Sequence, residues 1–424
     1  MKGSIALTTE KKTKSSGNYI LFCISRLISD FGTVVFNFAL SLYILDITGS
    51  ATLFATILSL TMIPSIIINT FCGVLVDRSN KKYVVVACDI LSGFVLLVFA
   101  IVFRFNPESI VMFAVFAILL GSLQALFSLT ITASIPNIAP EEDVPRLNSS
   151  FQGIGALMRI GGPIVGAVFY SLLGMQMLII LDGICFIISG LLELLLQYNI
   201  PTKEDDSRNK PYKEQLKDVY RYLGSKSGLK ILLIATLIST LVFSSLTTVV
   251  LPYITYNQLN LSELQVSQIM AAGYLGMIIG MVIISVSNKS QQFFRKILLF
   301  FRLELAVGIV WVFPLLPLFK STTDWIVTGI YCLSMILIGI FVGFVNIPAL
   351  SYIQTSTPEG LRASIIGVVN SLGRLATPLG LWLYGIMLEK INWGYIVTIP
   401  TIVLIVIITV MGMNKSLKEF FKTA

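Results

Sequence analysis

Twelve stretches of about 20 or more predominantly apolar residues run along the chain, and each is long enough to cross a lipid bilayer as a helix. They cover residues 19–46, 51–76, 83–103, 109–134, 148–173, 175–198, 229–256, 265–287, 297–319, 325–350, 363–388 and 393–413. Apolar residues make up 55% of the 424 residues and charged residues only 12%, with a mean hydropathy of +0.87, which excludes an ordinary soluble domain. Because a single span in lipid must satisfy its own backbone hydrogen bonds, we expect an all-α membrane protein with twelve transmembrane helices.

The positive charges follow the connections between these spans. With the N-terminus placed in the cytoplasm, the inside segments hold 23 of the 30 Lys and Arg residues and the outside loops hold 3. The other four lie within spans: Arg26, Arg159, Arg302 and Arg374. The bias predicts that both termini are cytoplasmic, and it accounts for the net charge of +8 without a nucleic-acid partner.

Histidine is absent from the sequence, which removes the commonest proton shuttle and metal ligand. A proton carrier in this chain must therefore be a carboxylate, and we expect no metal and no cofactor. The five cysteines lie within or at the edges of spans, so we expect no disulfide.

The longest polar stretch follows the sixth span and divides the chain into two halves of six spans. We expect a cytoplasmic tail at 1–18, an N-terminal half at 19–198, a cytoplasmic linker with an amphipathic helix at 199–228, a C-terminal half at 229–413 and a cytoplasmic tail at 414–424. A weak internal repeat supports the division, because Asp89 aligns with Glu304 and Arg159 with Arg374 at the same offset. Two parallel six-helix repeats are typical of transporters that bind substrate between the repeats, near the middle of the membrane.

The connection between spans two and three reads GVLVDRSNKK (73–82). It resembles the signature loop of the major facilitator superfamily and keeps its Gly73, Asp77, Arg78 and Lys82. The resemblance implies that Asp77 pairs with the start of span eleven, at Arg362, as a conformational latch. The alternative is a merely basic inside loop, which explains the cations but not Gly73 and Asp77.

Span five contains GGPIVG (161–166), with Gly161, Gly162, Pro163 and Gly166. It resembles the core of a motif associated with exporters of the same superfamily, although Met158 replaces one further glycine. Small residues let helices approach closely, so ordinary packing is the alternative explanation.

Charges within the spans are expensive and are candidates for function. Arg26 and Asp30, four residues apart in span one, can pair on one helix face, and the resemblance places them at the central cavity with Arg159 and Arg374. We expect Asp30 to be the proton-coupling group, with Arg26 or Arg159 as its modulating partner. Arg159 and Arg374 are candidates for a substrate or coupling role, with structural ion pairs or carbonyl contacts as the alternative.

A second set of charges lies in spans three, six and nine, which the resemblance assigns to the scaffold. Interhelix salt bridges are the expected role of this set, which comprises Asp89, Asp182, Glu193, Arg302 and Glu304.

Few uncharged polar side chains are candidates for the substrate cavity: Asn37, Gln124, Gln152, Asn346 and Asn370. A cavity with so few hydrogen-bonding groups suits a small amphipathic substrate better than a sugar or phosphate.

Across nearly its whole length the chain resembles the macrolide-efflux and enterobactin-exporter branch of the superfamily. The resemblance implies a monomeric, proton-coupled exporter of a hydrophobic or amphipathic small molecule, drug-like or siderophore-like, in the cytoplasmic membrane of a bacterium. A lysophospholipid flippase and a facilitative importer of the same fold are the alternatives. An enzyme is not expected, because the sequence has no H-E-x-x-H or G-x-S-x-G motif, and no G-x-x-x-x-G-K-[ST] for ATP.

Overall fold

Long helices follow one another along the chain, as the backbone of a lipid-embedded protein requires. The computed structural model describes residues 2–72, 76, 79–138, 144–198, 221, 227–286, 290–316, 323–356 and 359–413, and these residues contain no strand. The linker predicted at 199–228 and the tail predicted at 414–424 lie almost entirely outside the described residues.

The helices are numbered here in chain order. The first five are α1 (Lys2–Thr48), α2 (Ala51–Phe71), α3 (Lys81–Phe105), α4 (Ile110–Ile138) and α5 (Val144–Leu194). They are followed by α6 (Ser227–Ser245), α7 (Glu263–Val286), the short α8 (Ser290–Arg295), α9 (Ile297–Gly308), α10 (Asp324–Ser356), α11 (Glu359–Lys390) and α12 (Trp393–Met413).

Ten helical segments among the described residues are long and apolar enough to cross a membrane. Predicted spans five and six share one of them, Gly153–Leu194, because α5 is interrupted only at Gly174, whose φ of 72° and ψ of 170° are not helical. Predicted span eleven corresponds to α11, which is not among the ten. At the N-terminus, α1 already begins at Lys2, so the predicted tail continues the first helix.

Two spans depart from α-helical geometry. After α6 the chain forms two π-helical segments, Leu246–Val250 and Tyr253–Gln258, on either side of Pro252. Proline has no N–H for the i→i−4 ladder, which accounts for a change of winding there. After α9 the chain tightens into a 3₁₀ helix, Ile309–Leu315, which contains Pro314.

The chain divides into two compact units. The first comprises Met1–Ile47 with Leu60–Asp205, and the second comprises Thr48–Ser59 with Asp206–Ala424. The start of α2 therefore groups with the C-terminal helices, unlike in the predicted halves. Its contacts with α11 explain this, since the Ser59 hydroxyl donates to the Pro378 carbonyl at 3.2 Å.

Within the first unit an aromatic cluster joins α1, α3 and α4: Phe99 stacks on Phe116 at 4.4 Å between ring centroids and meets Phe113 edge-on at 5.5 Å. Within the second unit α7 and α10 pack through glycines. A Cβ atom at Gly276 would overlap the Ile336 carbonyl, and one at Gly339 would overlap the Gly273 carbonyl. These close approaches fix the helices that carry the candidate sites.

Candidate functional site

The clearest charged site of the first unit is an ion pair on α1. The Arg26 guanidinium donates a hydrogen bond through Nη2 to Oδ1 of Asp30, one helical turn away. The guanidinium carbon also lies 4.8 Å from the ring centroid of Phe127 and 5.2 Å from that of Phe151, in range for cation–π attraction. The aromatic rings and the carboxylate together hold the cation in place.

The two members of this pair differ in accessibility. The Asp30 side chain is 22% exposed, whereas that of Arg26 is 8% exposed. Arg159, on α5, is exposed and close enough to interact electrostatically with Asp30. Asp30 is thus a partly exposed carboxylate that interacts with two arginines.

Three further carboxylates of the first unit are buried: Asp89 on α3, and Asp182 and Glu193 on α5. The expectation of interhelix salt bridges is wrong for these acids, because none forms an ion pair among the described residues. Both oxygens of Glu193 lack a hydrogen-bond partner there, whereas the Asp89 carboxyl group lies close enough to the Ser29 and Ser189 hydroxyls to interact with them. Arg26 interacts electrostatically with Asp89 and Glu193, so it is a cation that these two acids share with Asp30.

The glycines of the export-type motif fall into two groups. A Cβ atom at Gly162 would overlap the Val34 side chain of α1, and one at Gly166 would lie 3.2 Å from the Val35 carbonyl oxygen. Gly161 has no such neighbour within 4 Å, and Pro163 is buried within α5. The motif therefore brings α5 against the helix that carries Asp30.

The polar residues predicted for the substrate cavity do not all gather in one place. In the first unit, Asn37 is exposed, and the Gln124 amide nitrogen is buried without a hydrogen-bond partner among the described residues. In the second unit, Asn346 lines a cavity. The side chains of Gln152 and Asn370 lie outside the described residues, as does that of Arg374.

The cavity of the second unit was not predicted. It has a volume of about 320 Å³ and lies between α6, α7, α9 and α10. Its lining includes Asn346, several hydroxyl groups of α6, and the carboxyl group of Glu304, for which a salt bridge was expected. Neither Glu304 nor Arg302 forms an ion pair within the described part of the chain, so that expectation is wrong for both.

Most of the predicted latch lies outside the described residues: Gly73, Asp77, Arg78 and the side chain of Arg362. Lys82 lies at the start of α3 and is partly exposed. Beside it, the Lys81 ammonium group donates to the Ala133 carbonyl of α4 at 3.2 Å. The pairing of Asp77 with Arg362 stays a prediction.

Curated relatives include known efflux proteins. Macrolide efflux protein A of Streptococcus pyogenes is 22% identical over 393 residues, which cover 91% of this chain and 93% of that protein. The uncharacterized MFS-type transporter YkuC of Bacillus subtilis (strain 168) is 30% identical over 179 residues, and this match spans only 41% of the chain and 40% of YkuC.

Solved structures show the same fold at low sequence identity. The nucleoside transporter NupG superimposes with a TM-score of 0.73 at 16% identity, covering 94% of this chain and all of NupG. A bacterial homologue of the iron transporter ferroportin, in an inward-facing state, gives a TM-score of 0.67 at 17% identity, covering 94% of this chain and 98% of that one. The family profile described as Major Facilitator Superfamily matches residues 22–381. This protein is therefore a multi-pass membrane transporter that belongs to the Major Facilitator Superfamily.

Proposed function

We propose that the protein is a secondary active transporter that exports a hydrophobic or amphipathic small molecule by alternating access, driven by protons. The observation that carries the proposal is the Arg26–Asp30 pair, which places a partly exposed carboxylate beside a buried cation on one helix. A carboxylate that couples proton movement to transport must be accessible to water. It must also interact with a group that changes position when the carboxylate is protonated.

The arrangement suggests how a proton could be coupled to movement. Ionised Asp30 holds Arg26 by a charge-assisted hydrogen bond, which protonation would weaken. Arg26 would then be free to turn towards Asp89 and Glu193, with which it already interacts electrostatically. Because these acids lie on α3 and α5, a shift of Arg26 would change the attraction between α1 and its neighbours.

Similarity to macrolide efflux proteins supports export and an amphipathic substrate. The tight contact of Gly162 with α1 also supports it, since it links the export-type motif to the helix that carries Asp30. The distribution of Lys and Arg supports a cytoplasmic position for both termini, in the cytoplasmic membrane of a bacterium.

The signature loop adds a conformational element to the proposal. By its resemblance to the family, Asp77 would latch one state by pairing with Arg362. A well-expressed Asp77→Asn variant would then insert normally but transport more slowly, and an unchanged transport rate would remove the latch from the mechanism.

The test uses purified protein in liposomes with an imposed pH gradient, with lumenal pH recorded while macrolides, dyes, siderophores and lysophospholipids are added in turn. We expect substrate-dependent proton movement in the wild type and none in Asp30→Asn. Asp46→Asn is the matched control, because Asp46 lies on the same helix but accepts a hydrogen bond from Tyr170 at 2.7 Å instead.

Other outcomes point to the alternative functions. Downhill substrate flux without proton movement would indicate a facilitative transporter. Movement of lysophospholipids alone would indicate a flippase. Uphill transport that persists in Asp30→Asn would remove Asp30 from the coupling mechanism.

A further inference from the structure

Hydroxyl side chains line one wall of the cavity in the second unit. Ser239 and Thr240 are adjacent on α6, and Thr240, Ser244 and Thr248 follow one another at intervals of four residues along α6 and the π-helical segment after it, so these hydroxyls lie towards one side of the helix. None of the four donates to another group among the described residues, whereas Thr247 donates to the Phe243 carbonyl at 3.0 Å. The wall therefore offers unsatisfied hydrogen-bonding groups to the cavity.

The winding of the chain at this wall is unusual. Thr247 and Thr248 belong to the π-helical segment Leu246–Val250, directly after α6. Single π-helical turns are rare and often occur at functional sites, because the wider turn changes the direction of side chains. Here the wider turn occurs where Thr247 and Thr248 line the cavity.

A carboxyl group lines the cavity from α9. Glu304 is only 5% exposed, and the described residues supply it with neither a hydrogen bond nor an ion pair. A buried carboxylate without a partner is costly, and a cation that reached it would remove that cost. The cavity thus contains one carboxyl group for which the described part of the protein offers neither a hydrogen-bond partner nor a counter-charge.

The rest of the lining is apolar and adaptable. Met270, Met277 and Met335 contribute flexible thioether side chains, and Tyr274 contributes an aromatic ring. Methionine surfaces adjust to ligands of different shape, and an aromatic face attracts a cation. The volume of about 320 Å³ falls at the lower end of the range for small-molecule sites, which is roughly 300–1,000 Å³.

From these features we propose that the second unit contains a substrate site for organic monocations with an apolar body, in which Glu304 is the counter-charge and the hydroxyl wall of α6 contacts the charged head group. A small inorganic ion would leave the methionine side of the cavity unused. The inference rests on the proposed function and deepens it, because it names the charge and size of the transported molecule.

Direct binding tests the site without requiring transport. Full-length protein in detergent is dialysed to equilibrium against radiolabelled tetraphenylphosphonium, a permanent monocation, and against triphenylphosphine oxide, a neutral molecule of related shape, with protein-free micelles as blanks. We expect Glu304→Gln to weaken tetraphenylphosphonium binding by about tenfold or more, the size of one charge-assisted interaction. The affinity for triphenylphosphine oxide should change less than about twofold, because this neutral molecule has no charge for Glu304 to neutralise.

Two further variants control for folding and position. Glu263→Gln makes the same chemical change at the first turn of α7, away from the cavity lining, and should leave both affinities unchanged. Thr240→Trp would fill the cavity from the α6 wall without altering Glu304, and should abolish binding of both compounds. Size-exclusion profiles confirm that each variant is folded.

Equal tetraphenylphosphonium affinity in wild type and Glu304→Gln would overturn the inference. So would stabilisation by Na⁺ alone that depends on Glu304, because the site would then hold an inorganic ion. Protein that exports neutral amphipathic solutes in liposomes but binds no cation through Glu304 would retain the proposed function and lose only this site.

Discussion

The Ser50 hydroxyl donates a hydrogen bond to the carboxylate of Glu389, 339 residues further along the chain. Ser50 precedes α2, and its hydroxyl oxygen accepts the Leu53 N–H at 3.1 Å, as a helix N-cap does. Glu389 also accepts the Thr52 N–H at 3.3 Å. A carboxylate of α11 thus caps the positive end of α2 together with the residue that normally does so.

This contact predicts a dependence of stability on pH. Glu389 lies just beyond the predicted span 363–388, and its pKa is lowered mainly by the hydrogen bond from Ser50. A group whose pKa is lower in the folded protein stabilises it above the ordinary glutamate pKa of about 4.3, and this contribution disappears as the pH falls through the folded value. Glu389→Gln should therefore lower the thermal unfolding midpoint at pH 7. The difference should shrink as the pH falls below about 4.3, the ordinary value, and disappear only below the lowered pKa of the folded protein.

The effect should be small, on the order of a few tenths of a kcal/mol, because the carboxylate is exposed to solvent screening. Ser50→Ala should cost more and keep part of its loss at low pH, because it removes the hydrogen bond to Glu389 and also the N-cap hydrogen bond to the Leu53 N–H. Glu108→Gln, at an exposed acid of the first unit, is the control. If Glu389→Gln lowered the thermal unfolding midpoint by the same amount at pH 7 and at pH 3.5, the proposed stabilisation by the ionised Glu389 carboxylate would be contradicted.

Two adjacent glycines of the export-type motif should respond differently to alanine. Gly162→Ala would push a methyl group into Val34 of α1, whereas Gly161→Ala would enter open space. We expect Gly162→Ala to lower the thermal midpoint and the transport rate, with an overpacking cost of about 1–3 kcal/mol. Gly161→Ala should match the wild type in both measurements, and equal losses in the two variants would contradict the close packing of α5 on α1.

The apolar runs were sufficient to predict the helices, because lipid leaves the backbone few alternatives. Gly174 marks the boundary predicted between spans five and six, where an apolar run alone would have continued as one helix. The grouping of Thr48–Ser59 with the second unit was not predictable in the same way. It depends on contacts with α11, which lies more than 300 residues away in the chain.

The Arg26–Asp30 pair was predictable from helical spacing. The lack of ion pairs at the buried acids, among the described residues, was not predictable from the resemblance to scaffold helices. A signal was present in the sequence, since predicted spans three and six contain Asp89, Asp182 and Glu193 but no Lys or Arg. Acids in such numbers cannot all find a cation within those spans. The cavity at Glu304 is harder to foresee, because the adjacent π-helical winding has no recognised sequence pattern.

Close packing between α7 and α10 predicts a second pair of glycine variants. A methyl group at Gly276 would overlap the Ile336 carbonyl oxygen, and backbone cannot move aside as a side chain can. Gly276→Ala should destabilise the protein by about 1–3 kcal/mol and loosen the cavity wall. Gly329→Ala, on α10 with no neighbour within 4 Å, should be neutral or slightly stabilising, and thermal midpoints of the two variants in detergent decide the matter.

The two arginines near Asp30 should differ in their importance for stability. Arg26 is buried against aromatic rings and interacts electrostatically with Asp30, Asp89 and Glu193. Arg159 is exposed. Arg26→Gln leaves buried carboxylates without a counter-charge, which costs about 3–5 kcal/mol in comparable cases. Arg159→Gln should cost about 1 kcal/mol or less.

A double variant separates the ion pair from the packing of Arg26. In Arg26→Gln/Asp30→Asn both charges of the pair are absent, so part of the stability lost in Arg26→Gln should return. The return should be incomplete, because Asp89 and Glu193 still lack the cation with which they interact. Unfolding midpoints of the two single variants and the double variant give the coupling directly, and strict additivity would show that Arg26 stabilises the unit through packing on Phe127 and Phe151 alone.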